Sequence, residues 1–294
     1  MGLTVKELLF IGNIFLDESG IENAPHDAEV LLGFEIGSDR QKIFMNQMRT
    51  INEAHCKNYI DLINRRAAGE PLQYITGESY FMGFRFSVNP TVLIPRPETE
   101  ILADIAIAYL QARDGRDEAE NVLDLCTGSG ALAISIAISC PRVKVTASDI
   151  SEQALLTAKK NAADHGVRER VTFVKSDLFD SFKHDESGND NSNNKFDLII
   201  TNPPYIKTGE LAGLQKEIKD HEPMSALDGG ADGLDFYRRI AKDALLYLRE
   251  GGCVMAEIGF DQAKDVSDIF LSAGFANCES FKDLAGLDRI VKAC

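Results

Sequence analysis

The chain is poor in metal ligands and in positive charge. Its 294 residues include only six cysteines and five histidines. Cys56, Cys126, Cys140, Cys253, Cys278 and Cys294 form no C-x-x-C pair, and Cys126, Cys140 and Cys253 sit in or beside apolar segments. That pattern argues against a zinc ribbon and a disulfide framework and reads as buried thiols. No histidines stand at H-x-x-x-H or H-E-x-x-H spacing, and the adjacent His55 and Cys56 cannot share one helix face. No catalytic metal is expected. Long apolar runs are missing as well: nothing approaches the ~18 consecutive apolar residues of a membrane helix. The start, Met1-Gly2-Leu3-Thr4-Val5-Lys6-Glu7, lacks a signal-peptide pattern, and Lys6 stands where a myristoylation motif wants Ser or Thr. A cytoplasmic location away from membranes is expected. Lys and Arg total 31 against 46 Asp and Glu, a net charge of −15. A duplex-binding protein must neutralise phosphates with basic side chains. Direct nucleic-acid binding is therefore not expected, and the charge suits a basic or neutral protein partner.

What remains is globular in composition, 44% hydrophobic and 26% charged, and long enough for one large or two ordinary domains. Residues 1–70 read as a small helical domain. Val5, Leu8, Leu9 and Phe15 keep helical spacing, Ala28–Leu32 and Ile43–Met48 are short apolar segments, and Asn52 is a plausible cap for a helix through Ala67. Residues 71–92 read as a linker holding a β-hairpin, because Tyr80 to Val88 alternates aromatic and polar residues around Gly83. Residues 93–294 alternate strands and helices, the pattern of an α/β doubly wound sheet. The polar run between Lys183 and Lys195 interrupts it and reads as a surface loop.

The most informative stretch is Asn202-Pro203-Pro204-Tyr205. It directly follows Phe196-Asp197-Leu198-Ile199-Ile200, an apolar run that reads as a buried parallel strand. In open α/β sheets ligands bind at the carboxyl ends of strands. The prolines fix φ and donate no backbone hydrogen bond. The Asn202 side-chain oxygen and a neighbouring backbone carbonyl can then accept both hydrogens of a planar NH2 group, with Tyr205 packed on its flat face. A Pro-Pro strand terminator at a surface turn would look the same in isolation.

A second signal is Asp124-Leu125-Cys126-Thr127-Gly128-Ser129-Gly130, between a buried strand and the apolar helix Ala131–Ser139. The two glycines permit positive φ, and the helix start offers unpaired N–H groups. Asp149 ends the next strand 19 residues after Gly130, where a carboxylate can accept both hydroxyls of a ribose. Asp177 ends a third strand and can accept from an adenine amino group. A nicotinamide dinucleotide site fits the glycines almost as well, since Gly128, Gly130 and Ala133 satisfy G-x-G-x-x-A. It leaves the Asn-Pro-Pro-Tyr segment without a role.

Gly turn, ribose acid, adenine acid and Asn-Pro-Pro-Tyr at successive strand ends resemble the class I S-adenosyl-L-methionine-dependent methyltransferases. More specific segments run almost end to end: Pro71-Leu72-Gln73-Tyr74-Ile75-Thr76-Gly77, Pro95-Arg96-Pro97-Glu98-Thr99-Glu100, Glu222-Pro223, Gly229-Gly230, Asp232-Gly233-Leu234 and Glu257-Ile258-Gly259. With these the chain resembles the HemK/PrmC protein-(glutamine-N5) methyltransferases. The resemblance implies a Rossmann-like sheet, mostly parallel with an antiparallel strand, and a helical domain that docks substrate. It implies transfer of a methyl group from S-adenosyl-L-methionine, leaving S-adenosyl-L-homocysteine, to the Gln of the Gly-Gly-Gln motif in class I peptide chain release factors. By position, Cys126, Thr127, Gly128, Ser129 and Gly130 would line the methionine part of the cofactor. Asp149 would hold the ribose, and Asp177 and Leu178 would flank the adenine. Asn202, Pro203, Pro204 and Tyr205 would hold the glutamine, Asn202 also facing the cofactor, with Arg96 shaping the rim. Cys126 replaces a common glycine, so a negative φ and a buried side chain are expected there. A nucleic-acid adenine-N6 or guanine-N2 methyltransferase is the rival reading, since the same clamp holds a flipped base amine. A dinucleotide oxidoreductase and a binding-only translation accessory are the more distant rivals.

Overall fold

The computed structural model describes residues 2–113, 119–182 and 195–294; most of the polar run after Lys183 lies outside the described residues. Thr4 opens the chain's first helix with a capping box: its hydroxyl accepts from the Glu7 N–H, and the Glu7 carboxylate accepts from the Thr4 N–H. Helix α1 runs Val5–Glu18, α2 Ala24–Ile36, α3 Arg40–Met45 and α4 Glu53–Ala67. Asn52 caps α4 as expected, accepting from the His55 N–H at 2.9 Å. Leu8, Leu16, Leu31, Leu32, Tyr59 and Ile63 are buried between these helices. A fifth short helix, α5 Leu72–Thr76, adds Ile75 to the same core. The helical unit therefore extends to Glu78, past the boundary expected at residue 70, because Ile75 has its apolar contacts there.

Strands β1 (Glu78–Phe81) and β2 (Phe84–Ser87) form the expected hairpin. Met82 and Gly83, at φ of 52° and 74°, make a two-residue turn whose backbone twist matches the right-handed twist of paired strands. Helix α6 (Pro97–Gln111) follows, starting earlier than its apolar run suggests. Then come β3 (Asn121–Leu125), α7 (Ala131–Ser139), β4 (Lys144–Asp149), α8 (Glu152–Asp164), β5 (Val171–Lys175), β6 (Phe196–Thr201), α9 (Lys216–His221), α10 (Asp235–Tyr247), β7 (Leu248–Glu257), α11 (Ala263–Ser272), β8 (Cys278–Lys282) and β9 (Asp288–Ala293).

The sheet has the order β5-β4-β3-β6-β7-β9-β8, with β9 running antiparallel to both of its neighbours, β7 and β8. The parallel strands are covered on both faces, so their residues alternate between two cores. Val122, Leu198 and Ile200 face the side of α6 and α7, while Leu123, Leu125 and Ile199 face the side of α10 and α11. The chain winds outward from β3 through β4 to β5, then returns to β6 on the other side of β3. That reversal opens a crevice at the carboxyl ends of β3 and β6, where open α/β sheets bind ligands. No helix among the described residues is long and apolar enough to cross a membrane.

One segment was expected in the sheet domain but belongs to the helical unit. Residues Gln215–His221, which contain α9, pack with the helices. Arg66 explains why. Its side chain is 7% exposed; Nε donates to Asp27 at 2.6 Å, Nη2 to Glu217 at 2.6 Å, and Nη1 to the Glu70 carbonyl at 3.0 Å. Removing one member of a buried ion pair leaves the others desolvated and unpaired, at a cost of roughly 3–5 kcal/mol. Arg66→Ala is expected to destabilise the helical unit by about 3 kcal/mol and to render residues 215–221 sensitive to protease. Chemical denaturation and limited proteolysis check both.

Candidate active site

The turn after β3 is built around two carboxylates. Asp124 points from β3 toward α7 and is fully buried. Its Oδ2 accepts from the Thr127 hydroxyl at 2.6 Å and from the Ala133 N–H at 3.2 Å, tying the turn to the start of α7. Asp149, at the end of β4, accepts from the Gly128 N–H at 2.9 Å and from the Ser151 N–H at 2.8 Å, one on each oxygen. Asn161 of α8 donates to the Ser129 carbonyl at 2.9 Å and holds the turn from outside. Gly128 has φ of 55°, with open space where a Cβ would stand. Gly130 is needed for a different reason: a Cβ there would lie 2.9 Å from Ile134 and 3.1 Å from Ala158, so this glycine serves the packing of α7 on α8.

Cys126 corrects an expectation. Its φ is 60°, in the left-handed region, and the residue is only half-buried. The reversal between β3 and α7, with the Thr127 N–H tied to the Ser148 carbonyl at 3.0 Å, requires that backbone whatever the side chain. An L-residue held there costs about 1–2 kcal/mol. Leu178, at the end of the β5 connection, is likewise non-glycine at φ 49°. Both line the same cavity, and strained backbone of this kind concentrates at ligand sites.

That cavity has a volume of about 390 Å³, within the range of small-molecule sites. Its wall brings together Cys126, Thr127, Gly128 and Ser129 of the turn, Asp149, Asp177 and Leu178 of the following strand ends, and Asn202, Pro204 and Arg96. Gly130, Pro203 and Tyr205, also expected to contact ligand, are not on this wall. The Tyr205 ring packs on the α10 side of the sheet, and its hydroxyl lies 3.4 Å from Glu257 Oε1. Arg96 donates to Glu222 at 2.5 Å, and Arg239 pairs with Asp177 at 2.8 Å. Asn202 donates through Nδ2 to the Thr99 hydroxyl oxygen at 3.1 Å, while no hydrogen bond within the described residues engages its Oδ1.

The electrostatics favour a cationic ligand. Burial pushes the Asp124 carboxyl up to about 7, against the pull of Thr127 and the Ala133 N–H, and the Asp149 charge adds to the rise. Burial also raises Asp149, although the Ser151 and Gly128 N–H groups oppose it. Asp124 Oδ1 is buried without a hydrogen-bond partner. The basic groups of the wall, Arg96 and Arg239, are each committed to an acid. A pyrophosphate would meet Asp149 and Asp177 on the wall and Asp124 buried behind the turn, so the dinucleotide reading does not fit. A sulfonium with an ammonium, a ribose and an adenine does: each Asp149 oxygen keeps a free lone pair for a hydroxyl.

Sequence reasoning left out Thr99, Arg239 and Glu257. Glu257 carried a readable signal, an acid at the end of the apolar run Cys253-Val254-Met255-Ala256, which is the signal that singled out Asp149.

Residues 7–77 match the family model of the PrmC N-terminal domain, and residues 103–218 match the methyltransferase small domain. The chain is 39% identical over 99% of its length to a release factor glutamine methyltransferase of Clostridium acetobutylicum, covering 98% of that protein. It is 39% identical over 98% of its length to one from Geobacter sulfurreducens, covering 95% of it. Among solved structures, the N-terminal domain of human METTL16 aligns over 84% of this chain and 85% of that one at 15% identity, with a TM-score of 0.51. This last likeness shows the class I methyltransferase fold alone. Full-length similarity near 39% identity shows more: the chain belongs to the release factor glutamine methyltransferases.

Proposed function

We propose that the enzyme methylates the side-chain amide nitrogen (N5) of the Gln in the Gly-Gly-Gln motif of class I peptide chain release factors, with S-adenosyl-L-methionine as donor. The observation that carries this reading is Asn202, held by Thr99 at the wall of a cavity that Asp149 and Asp177 also line. Bound in that cavity, S-adenosyl-L-methionine supplies an electrophilic methyl on a cationic sulfur. Asp149 would accept from the ribose hydroxyls, Asp177 and Leu178 would flank the adenine, and Asp124 would balance positive charge from behind the turn.

An amide nitrogen is a weak nucleophile because its lone pair is delocalised into the carbonyl. The protein therefore has to position it. Asn202 Oδ1 and the Pro203 carbonyl would accept its two hydrogens and favour the charge that grows on nitrogen during attack. Holding nitrogen and methyl in line, about 3 Å apart, supplies most of the remaining advantage. Once alkylated, the nitrogen is acidic and its proton passes to water. Tyr205 would act from behind the clamp, through Glu257, in place of stacking on the amide. The helical unit of residues 1–78 would form a docking surface for the protein substrate, and a substrate of translation would place the enzyme in the cytoplasm.

The test is incubation with labelled S-adenosyl-L-methionine, release factor, and DNA or RNA, followed by mass mapping. A single added methyl group on the glutamine of the release-factor loop is expected. Label in nucleic acid with an unmodified release factor would overturn the reading in favour of a base-amine methyltransferase.

Cofactor affinity should also depend on pH. The free enzyme's Asp124 is raised to about 7, and a bound cation lowers it again. Below that value binding must expel a proton, so affinity falls with acidity. Raising pH from 6 to 8 is expected to tighten binding by about tenfold at most, and Asp124→Asn should flatten the profile. Calorimetry at several pH values checks this.

A further inference from the structure

Thr99 lies in the first turn of α6, whose proline and acids are ordinary helix-start chemistry. The structure gives it a second connection. It is 5% exposed, and its oxygen accepts from Asn202 Nδ2. Glu257, at the carboxyl end of β7, is 1% exposed, and the Thr99 hydroxyl is among the groups that lower its proton affinity. The Tyr205 hydroxyl meets Glu257 Oε1, and the Tyr237 hydroxyl donates to its backbone carbonyl at 2.8 Å. No hydrogen bond among the described residues engages the buried Glu257 Oε2. Gln262 donates to the Tyr205 carbonyl at 3.0 Å and fixes the same loop from the α11 side.

The chemistry of the three side chains gives this chain of contacts a direction. A carboxamide is nearly symmetric in shape, so packing alone does not decide whether NH2 or oxygen faces the cavity. A hydroxyl next to it does not decide either, since it can donate or accept. An ionised carboxylate only accepts. When ionised, the Glu257 carboxyl, whose proton affinity the Thr99 hydroxyl lowers, is an acceptor for the Thr99 proton. The Thr99 lone pair is then left for Asn202 N–H, and Asn202 Oδ1 is left for substrate. Burial pushes Glu257 up to about 7; Arg289 of β9 and Tyr205 oppose that rise, while Glu98 of α6 reinforces it.

We infer that Thr99 and Glu257 are positioning residues that set the orientation of the Asn202 carboxamide. Resting on the amide-clamp reading above, the inference assigns a role to two residues from outside the cofactor turn and the Asn-Pro-Pro-Tyr segment. Thr99→Val removes the acceptor at nearly constant volume, and Thr99→Ser restores it. Single-turnover methylation of release factor is expected to slow about tenfold in Thr99→Val, with cofactor affinity within twofold of wild type. Thr99→Ser should recover to within about threefold of wild type. Adding Thr99→Val to Asn202→Ala should cost nothing further, because the amide it orients is gone. Glu257→Gln, which lets either end of an amide face Thr99, should slow the reaction severalfold at unchanged cofactor affinity. Where valine unfolds the protein, Thr99→Ala replaces it in every comparison.

The inference is overturned if the Thr99 variant keeps the wild-type rate, if Ser fails to rescue, or if the loss persists in full in the Asn202→Ala background. A wild type that leaves release factor unmethylated overturns the function reading itself and this inference with it.

Discussion

Asn202→Ala should abolish methylation while sparing cofactor affinity. The side chain that accepts from the substrate amide is removed, and the Thr99 hydroxyl is left facing a gap. Misplacement of a reacting group by about 1 Å can cost on the order of 100-fold in rate, and a loss of at least that size is expected in single turnover. The affinity should hold because Asp124, Asp149 and the turn through Gly128 do not depend on Asn202. Asn202→Asp separates two causes. A carboxylate still accepts N–H bonds, so a smaller loss than for Ala would mean that accepting them is the whole task. A loss as large as for Ala would mean that a fixed negative charge disturbs the sulfonium or the substrate pose. A rate for Asn202→Ala within threefold of wild type, only ~0.7 kcal/mol of barrier, would remove this residue as the amide clamp.

The parts of the fold that were legible are those buried on both faces. Strands β3 and β6 read as largely apolar runs, Leu198-Ile199-Ile200 most clearly, because helices cover both sides of a parallel sheet. Strand β8 did not, since Cys278-Glu279-Ser280-Phe281-Lys282 is a largely exposed edge that pairs only with β9. The place of Gln215–His221 was unreadable for another reason. It depends on Arg66, distant in sequence, and a long-range ion pair leaves no local pattern. Asp149, Asp177 and Asn202, which share one cavity wall, stood out in the sequence because acids and amides at strand ends contrast with apolar neighbours. Cys126 was misjudged because side-chain preference was weighed above the turn that the backbone must make. Tyr205 was placed on the substrate because proximity in sequence was taken as proximity to ligand. In the structure its hydroxyl lies 3.4 Å from Glu257 Oε1.

Asp149→Ala should weaken cofactor binding about 100-fold, which corresponds to ~3 kcal/mol. A hydrogen bond to a charged group contributes roughly 1.5–3 kcal/mol, and two ribose hydroxyls are at stake. The same carboxylate also accepts from Gly128 and Ser151, so the substitution loosens the turn as well as removing the acceptor. Affinity for the full cofactor cannot tell these effects apart, but the product S-adenosyl-L-homocysteine and its 2′-deoxy form can. Wild type should bind the hydroxylated form at least tenfold tighter, since losing one good charged hydrogen bond costs at least ~1.4 kcal/mol. Asp149→Ala should bind the two nearly equally, because the partner of the missing hydroxyl is gone. If the variant weakens both forms alike and keeps the wild-type preference, Asp149 is a clip for the glycine turn, and the ribose is recognised elsewhere.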